Sequence, residues 1–282
     1  MAELLRIPLP ADCEIALTGD WHVGARAHNE PALDALVEWV LAEPHRYLGF
    51  SGDAIEGKPV ASPHFDPEGL REGQVNIEQQ FARVVQKIAP LKDRILWWGK
   101  GNHDVYLSRD VDVVRNLLCK PLNILDRMGG YQTWIDLGHF RVHHWHGRQS
   151  MPRGAKDPIQ RDANQRAWLV NKLAPLAGDC LLQVMGHVHA LLVQPPIEEY
   201  ALLTGRDKVH ARYFREPVAA VGGMEFLPVK SRWYGCTGTL RRSGGFGYVD
   251  YAEVAGYPPS PIGWLVATVR GGTIRALDKV VV

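Results

Sequence analysis

The 282-residue chain is short of the features that mark several specialised protein classes. Its four cysteines, Cys13, Cys119, Cys180 and Cys236, are widely spaced and form no C-x-x-C pair, which fits neither a zinc knuckle nor a secreted disulfide framework. Reduced thiols in a cytoplasmic protein are the simplest expectation. No stretch approaches the ~18 apolar residues of a membrane span, and MAELLRIPLP offers no basic start followed by a long apolar run. A soluble, unexported chain without a membrane partner is therefore expected. Charge of one sign is also lacking. The 32 Lys and Arg face 31 Asp and Glu, so any polyanion binding needs a local patch rather than a global field. At 46% apolar and 22% charged, the composition excludes intrinsic disorder and collagen-like structure and allows a sizeable core.

What is plentiful is histidine, twelve in all, several of them beside Gly, Asp or Asn where apolar runs end. The run Glu14 to Thr18 ends in Gly19-Asp20-Trp21-His22-Val23-Gly24. A helix is expected from Pro31 to about Leu41, where Leu33, Leu36, Val37 and Val40 recur at helical spacing. Tyr47 to Phe50 leads into Ser51-Gly52-Asp53-Ala54-Ile55-Glu56-Gly57. Residues 58 to 75 read as a long surface loop, and Ile77 to Ile88 as a helix with Ile77, Phe81, Val84, Val85 and Ile88 on one face. Arg94 to Trp98 ends in Gly99-Lys100-Gly101-Asn102-His103-Asp104, Phe140 to His144 in Trp145-His146-Gly147, and Leu181 to Met185 in Gly186-His187-Val188-His189. Trp264 to Val269 and Thr273 to Val281, joined at Gly271-Gly272, read as a closing β-hairpin. Strands alternating with amphipathic helices predict a layered α/β domain, in which polar clusters at the strands' carboxyl ends converge on one crevice.

Each cluster has its own chemistry. Asp20 and His22, one residue apart, can face one point, and carboxylate with imidazole suits Mn, Fe or Zn; a surface Asp with a capping His is the blander reading. Gly52 allows close backbone approach, so Asp53 can bridge two cations, although a turn or helix-cap aspartate looks the same. In Gly101-Asn102-His103-Asp104, a neutral amide can hold a metal while His103 meets substrate as a general acid and Asp104 orients its ring. His187 and His189 repeat the alternate spacing, with Val188 turned to the core. Among His143, His144 and His146, the last two share a strand face, and His146 is preferred because it lies at the strand end before Gly147.

Together, D-x-H, G-D, G-N-H-D, H-G and G-H-x-H in this order, across residues 14 to 190, resemble the calcineurin-like metallophosphoesterase family. The resemblance implies an α/β fold, a four-layer α/β/β/α sandwich with two central mixed sheets. Residues 1–282 would form a single metallophosphoesterase domain, with 190–282 completing the second sheet and the substrate rim. It assigns Asp20, His22 and His189 to one metal and Asn102, His146 and His187 to the other, with Asp53 bridging and His103 protonating the leaving oxygen. Two divalent ions roughly 3.5–4 Å apart would supply a bridging hydroxide for in-line attack. Manganese is the first choice, with Fe, Zn or Ni as alternatives.

The chain departs from the protein phosphatases of that family. It lacks their Arg after the G-D motif and has Asp104 where they continue with Glu, so Glu56 and Asp104 look more like the diester-cleaving branches. Aromatics interleaved with basic residues, Arg232-Trp233-Tyr234 and Arg241-Arg242, together with Tyr251-Ala252-Glu253 and Gly256-Tyr257-Pro258-Pro259, look similar to phage and bacterial DNA-exonuclease-like phosphoesterases. Ordinary packing aromatics in a solvated edge strand would look the same. Arg26, Arg148 and Arg241, and also His28, Lys100 and Arg109, are candidates to contact substrate phosphate. The expectation is a dinuclear phosphodiesterase with DNA as substrate. The alternatives are a small-molecule phosphatase or cyclic-nucleotide phosphodiesterase and a non-catalytic scaffold of the same fold, such as the related retromer subunit.

Overall fold

A computed structural model describes residues 4–58, 65, 67–105, 111–152, 154–214, 218–221, 224–244, 256 and 259–282. In chain order the strands are β1 (Leu4–Arg6), β2 (Cys13–Thr18), β3 (Arg46–Phe50), β4 (Ile95–Trp98), β5 (Gln132–Asp136), β6 (Arg141–Trp145), β7 (Leu182–Met185), β8 (Leu191–Gln194), β9 (Glu199–Thr204), β10 (Val209–Phe214), β11 (Ala219–Val221), β12 (Met224–Phe226), β13 (Trp233–Thr237), β14 (Gly263–Arg270) and β15 (Thr273–Val281). The α-helices are α1 (Glu30–Ala42), α2 (Ile77–Ile88), the single turn α3 (Asn102–Val105), the short α4 (Lys120–Leu122) and α5 (Pro158–Leu173).

Two sheets carry the fold. One runs β15-β14-β2-β3-β4, with β2, β3 and β4 parallel and the β14–β15 hairpin antiparallel at one edge. The other runs β1-β5-β6-β7-β13-β8, with β6, β7 and β13 parallel. Alternation along β2 shows how they stack. Ile15 and Leu17 join Trp97, Ile135, Val142, Leu182, Val184 and Leu265 between the sheets, while Ala16 faces the helices. Leu33, Leu36 and Val40 of α1 and Phe81, Val84 and Ile88 of α2 cover the outer face of the first sheet with Trp21, Phe50 and Trp98. On the second sheet, Leu169 and Leu173 of α5 pack on Met185, Leu192, Tyr234 and Cys236. The result is the expected four-layer α/β/β/α sandwich.

Local chemistry starts the helices where the chain needs them. Asn76 accepts from the Gln79 N–H, and the Gln79 side chain answers to the Asn76 N–H, a reciprocal cap that begins α2. Asp157 accepts from the Ile159 N–H ahead of Pro158, which begins α5.

The C-terminal third is divided between the sheets rather than confined to the second one. β8 and β13 enter the second sheet, but β14 and β15 complete the first. Among the described residues, those near 197 and 227–230 lie at the opposite end of the second sheet. The Leu227 N–H bonds the Gly178 carbonyl and the Ile197 N–H the Lys230 carbonyl, which places this stretch at the start of β7 and β13, away from their carboxyl ends. Among the described residues no helix is long and apolar enough to cross a membrane.

Candidate metal centre

The carboxyl ends of β2, β3 and β4 in one sheet and of β6 and β7 in the other carry the five polar clusters, and main-chain bonds draw them together. The Asp20 N–H donates to the Gly52 carbonyl (2.9 Å) and the His22 N–H to that of Asp53 (3.2 Å), so the D-x-H and G-D turns are one unit. Across the sheets, the His187 N–H donates to Asp20 Oδ2 at 2.8 Å.

Asp20, His22, Asp53, His187 and His189 all adopt left-handed backbone, with φ between 50° and 69°; among the described non-glycine residues only Asn123 shares it. Each such residue costs on the order of 1–3 kcal/mol, and such strain gathers where a site over-determines the chain. The alternate spacing thus works differently from a strand face. Tight turns swing Asp20 with His22, and His187 with His189, to one side while Trp21 and Val188 are buried between them.

Two groups of donor atoms result. In the first, His22 Nε2 and His189 Nε2 face each other at 3.1 Å, and Asp20 Oδ1 lies 3.4 Å from His189 Nε2 and 3.9 Å from His22 Nε2. In the second, His146 Nε2 is 3.2 Å from Asp53 Oδ2 and 3.0 Å from Asn102 Oδ1, which is 2.9 Å from His187 Nδ1. Asp53 also belongs with His22 and His103 in a third such group, so its carboxylate lies between the first two. Asp20 Oδ1 is buried and makes no hydrogen bond of good geometry among the described residues. An orphaned carboxylate oxygen and two imidazole nitrogens turned on each other are what a cation would satisfy, and mixed carboxylate, amide and imidazole donors fit a divalent Mn, Fe, Zn or Ni ion.

The nitrogens that face the centre are set by their opposite ring atoms. His146 Nδ1 bonds the Ser51 carbonyl at 2.7 Å and His22 Nδ1 bonds Glu56 Oε2 at 3.0 Å, leaving each Nε2 toward the centre. His144 instead packs on Gly99, where an added Cβ would meet its ring at 2.2 Å, and burial holds its pKa at about 3. Burial likewise lowers the His22 pKa to about 4 against the pull of Glu56. For His146, burial opposes protonation but is outweighed by Asp53 and then Asp20, and its pKa rises to about 9. Asp53 stays ionised despite burial because the His146 and His103 rings face it.

The role expected of Asp104 is corrected. His103 Nδ1 bonds the main-chain carbonyl of Glu56, not Asp104. Asp104 is buried and accepts from the N–H groups of Gly101 and Asp53 (both 2.8 Å) and Ala54 (3.2 Å), tying the G-N-H-D turn to the G-D turn. Burial and the Asp53 charge push its pKa to about 7, against the pull of those N–H groups. His103 itself is half-exposed, and its N–H donates to Asp53 Oδ1.

The expected phosphate contacts divide. Arg26 and Arg148 are exposed beside the D-x-H and H-G clusters. Arg241 is buried and bridged by its main chain to His28. His28 is buried with Nδ1 2.7 Å from the Trp21 carbonyl, and Lys100 is paired with Asp112, so both serve the scaffold. Arg109 lies outside the described residues, as do most of residues 58 to 66 and of 245 to 258. The stacking surface expected around Trp233 is not formed. Tyr234 is buried in β13, a central strand, and Arg232 is buried with its guanidinium on the carbonyls of Leu227, Ala174 and Ala177. Glu56, noted in the sequence only as a pointer to the diester-cleaving branches, enters the site beside His22; its signal was a carboxylate three residues after Asp53 in an otherwise apolar stretch.

No family profile and no curated protein matches the chain in sequence. Among solved structures, YfcE, a phosphoesterase from E. coli, is similar at 14% identity, covering 94% of this chain and 98% of its own, with a TM-score of 0.42. A Vps29 single mutant from Entamoeba histolytica matches at 12% identity, covering 95% and 99%, with a TM-score of 0.37. A predicted phosphoesterase from Streptococcus pneumoniae matches at 10%, covering 97% and 99%, with a TM-score of 0.33. The chemistry of the site rests on this chain's own side chains.

Proposed function

We propose that the protein is a metal-dependent phosphodiesterase working with two divalent ions, manganese first among them. The observation that carries this reading is the convergence of seven donor side chains from five strand ends of two sheets, with Asp53 between the two groups. Asp20, His22 and His189 would hold one ion, Asn102, His146 and His187 the other, and Asp53 both. Such ions neutralise phosphoryl oxygens and acidify water, which is what hydrolysis of a phosphate ester at neutral pH requires. His103 stands at the edge of the site with Nδ1 engaged by the Glu56 carbonyl, so Nε2 is the nitrogen left to protonate a leaving oxygen. Arg26 and Arg148, exposed beside the clusters, are the candidates to meet a substrate phosphate, and Arg241 pairs with His28, whose Nδ1 bonds the Trp21 carbonyl next to Asp20.

DNA is the first substrate to test. A second reading, a small diester such as a cyclic nucleotide, is favoured by one observation: the residues that would have stacked on bases, Trp233 and Tyr234, lie in a central strand. Manganese-loaded protein should be given end-labelled duplex and single-stranded DNA, a chromogenic diester and the matching monoester, with Asp53→Asn as control. Cleavage of DNA lost in the variant supports the nuclease reading. Turnover of the small diester alone moves the substrate to nucleotides, and no metal-dependent turnover of any of them overturns the enzymatic reading in favour of a scaffold.

A further inference from the structure

Glu56 is a buried carboxylate at the centre to which no ligand or proton-transfer role falls, and unlike Asp104, which accepts only main-chain N–H groups, it faces a histidine ring. Its Oε2 lies 3.0 Å from His22 Nδ1, its Oε1 2.8 Å from Lys58 Nζ, and its own carbonyl accepts from His103 Nδ1. The His22 and His103 rings stand nearly perpendicular at 4.7 Å between centroids. The main chain there is pinned, with the Glu56 N–H on the Val23 carbonyl (2.9 Å) and the Gly57 N–H on Gln80 Oε1 (3.0 Å).

Resting on the reading of His22 as a metal ligand and His103 as a proton donor, we propose that Glu56 is the positioning residue of the centre, setting His22 through its carboxylate and His103 through its carbonyl. The physical reason is tautomeric. A neutral imidazole carries one N–H, and only the other nitrogen can bind a metal. An ionised carboxylate 3.0 Å from Nδ1 can only accept, so it decides which nitrogen bears the proton. With Nδ1–H given to Glu56, the Nε2 lone pair points at His189 Nε2 and Asp20 Oδ1; with the proton on Nε2 it would be blocked. The carboxylate also raises the basicity of the ring it holds. Lys58 occupies the second carboxylate oxygen and so fixes the orientation of the first. The carbonyl does the same for His103 without regard to the Glu56 side chain, and this separates the two effects.

The test uses the full-length protein as Glu56→Ala, Glu56→Gln and His22→Ala. In metal-free protein, side-chain nitrogen NMR should show His22 moving from the Nδ1–H toward the Nε2–H form in Glu56→Ala, while His103 keeps Nδ1–H. Manganese affinity, measured by competition with a chelator, should fall about 10- to 100-fold. Glu56→Gln, which keeps an acceptor and loses the charge, should restore the tautomer and only part of the affinity; it also serves if Glu56→Ala fails to fold. An unchanged tautomer and manganese affinity in a folded Glu56 variant overturns the proposal. His22→Ala distinguishes that result from a wrong ligand assignment: if it binds as much manganese as the native chain, the metal-centre reading has failed instead.

Discussion

Asp53 Oδ2 and His146 Nε2 lie 3.2 Å apart with both side chains buried, a carboxylate and an imidazolium each held in its charged form by the other. With the His146 pKa at about 9, the ring carries a proton at neutral pH in the metal-free protein. A metal ion must displace it. Binding at pH 7 should therefore release about one proton, and apparent affinity should climb as pH rises toward 9. Titration calorimetry in buffers of different ionisation enthalpy measures both, and a buffer-independent heat would contradict the pairing. The stability sign follows from the same shift. A raised histidine pKa stabilises fully below the unfolded value of 6.5 and is lost as pH rises through about 9, so metal-free protein should weaken over that window.

A second relationship is steric. A Cβ on Gly101 would lie 2.0 Å from Asp53 Oδ1 and 2.4 Å from its main-chain nitrogen, so Gly101→Ala must move the carboxylate that joins the two donor groups. Manganese stoichiometry should fall and turnover with it. Gly130→Ala is the control, since its Cβ would meet nothing nearer than 3.4 Å. Equal metal content in the two variants would refute the close approach of these turns.

The strands that end in the site were legible because their apolar runs stop at polar clusters, and β2, β3, β4, β6 and β7 all lie within a residue or so of their expected bounds. α5 was not. Its sequence is mostly polar, and only Leu169 and Leu173 are fully buried, too sparse a stripe to declare a helix. β13 was misread for a different reason. Trp233 and Arg232 resemble an exposed aromatic and basic surface until the fold inserts that segment between β7 and β8, where the arginine finds three carbonyls. The D-x-H and H-x-H pairs turn to one side through left-handed turns rather than through a shared strand face, and left-handed φ values leave no trace in residue spacing. Glu56 went unassigned because spacing alone does not say which ring a carboxylate will meet.

Glu30 ties the start of α1 to α2, with His28 Nε2 at 3.4 Å, Arg71 Nη1 at 3.2 Å, Lys87 Nζ at 3.0 Å and Arg83 in closer contact. The nearby His28 ring, against partial burial and with help from Lys87 and Arg83, lowers its pKa far below the usual 4.5. A depressed carboxyl pKa gives stability that is fully present above the unfolded value of 4.5, begins to fade below it and is lost as pH falls through the much lower folded value. Glu30→Gln should thus cost about 1–3 kcal/mol near neutral pH, with the gap closing below about pH 4. Urea unfolding of both proteins at pH 7 and pH 3.5 measures this, and a pH-independent difference would sink it.

All four cysteines are free and buried. Burial raises the Cys13 thiol to about 11 and Cys119 to about 12, and lifts Cys180 and Cys236 further. Since the thiolate is the reacting form, a chromogenic disulfide at pH 8 should find almost no thiol in the native protein and four after unfolding. Rapid modification of any one in folded protein would contradict its burial.

His103 and Asp104 are adjacent in sequence and divide into two kinds of work. Asp104 receives three buried main-chain N–H groups, and its removal leaves them unsatisfied at about 1–3 kcal/mol each. Asp104→Ala should lower the melting temperature and manganese content together. His103→Ala removes a single bond, from Nδ1 to the Glu56 carbonyl, and leaves its own main-chain N–H on Asp53. It should melt near the native protein and keep its metal, while kcat falls about 10²- to 10⁴-fold on an alkyl leaving group. The leaving group separates proton donation from ring packing. An aryl oxide such as nitrophenolate departs without a proton, so the variant's deficit should shrink sharply on the nitrophenyl diester. A deficit equal on alkyl and aryl substrates would mean that His103 binds phosphate rather than protonating the oxygen that leaves.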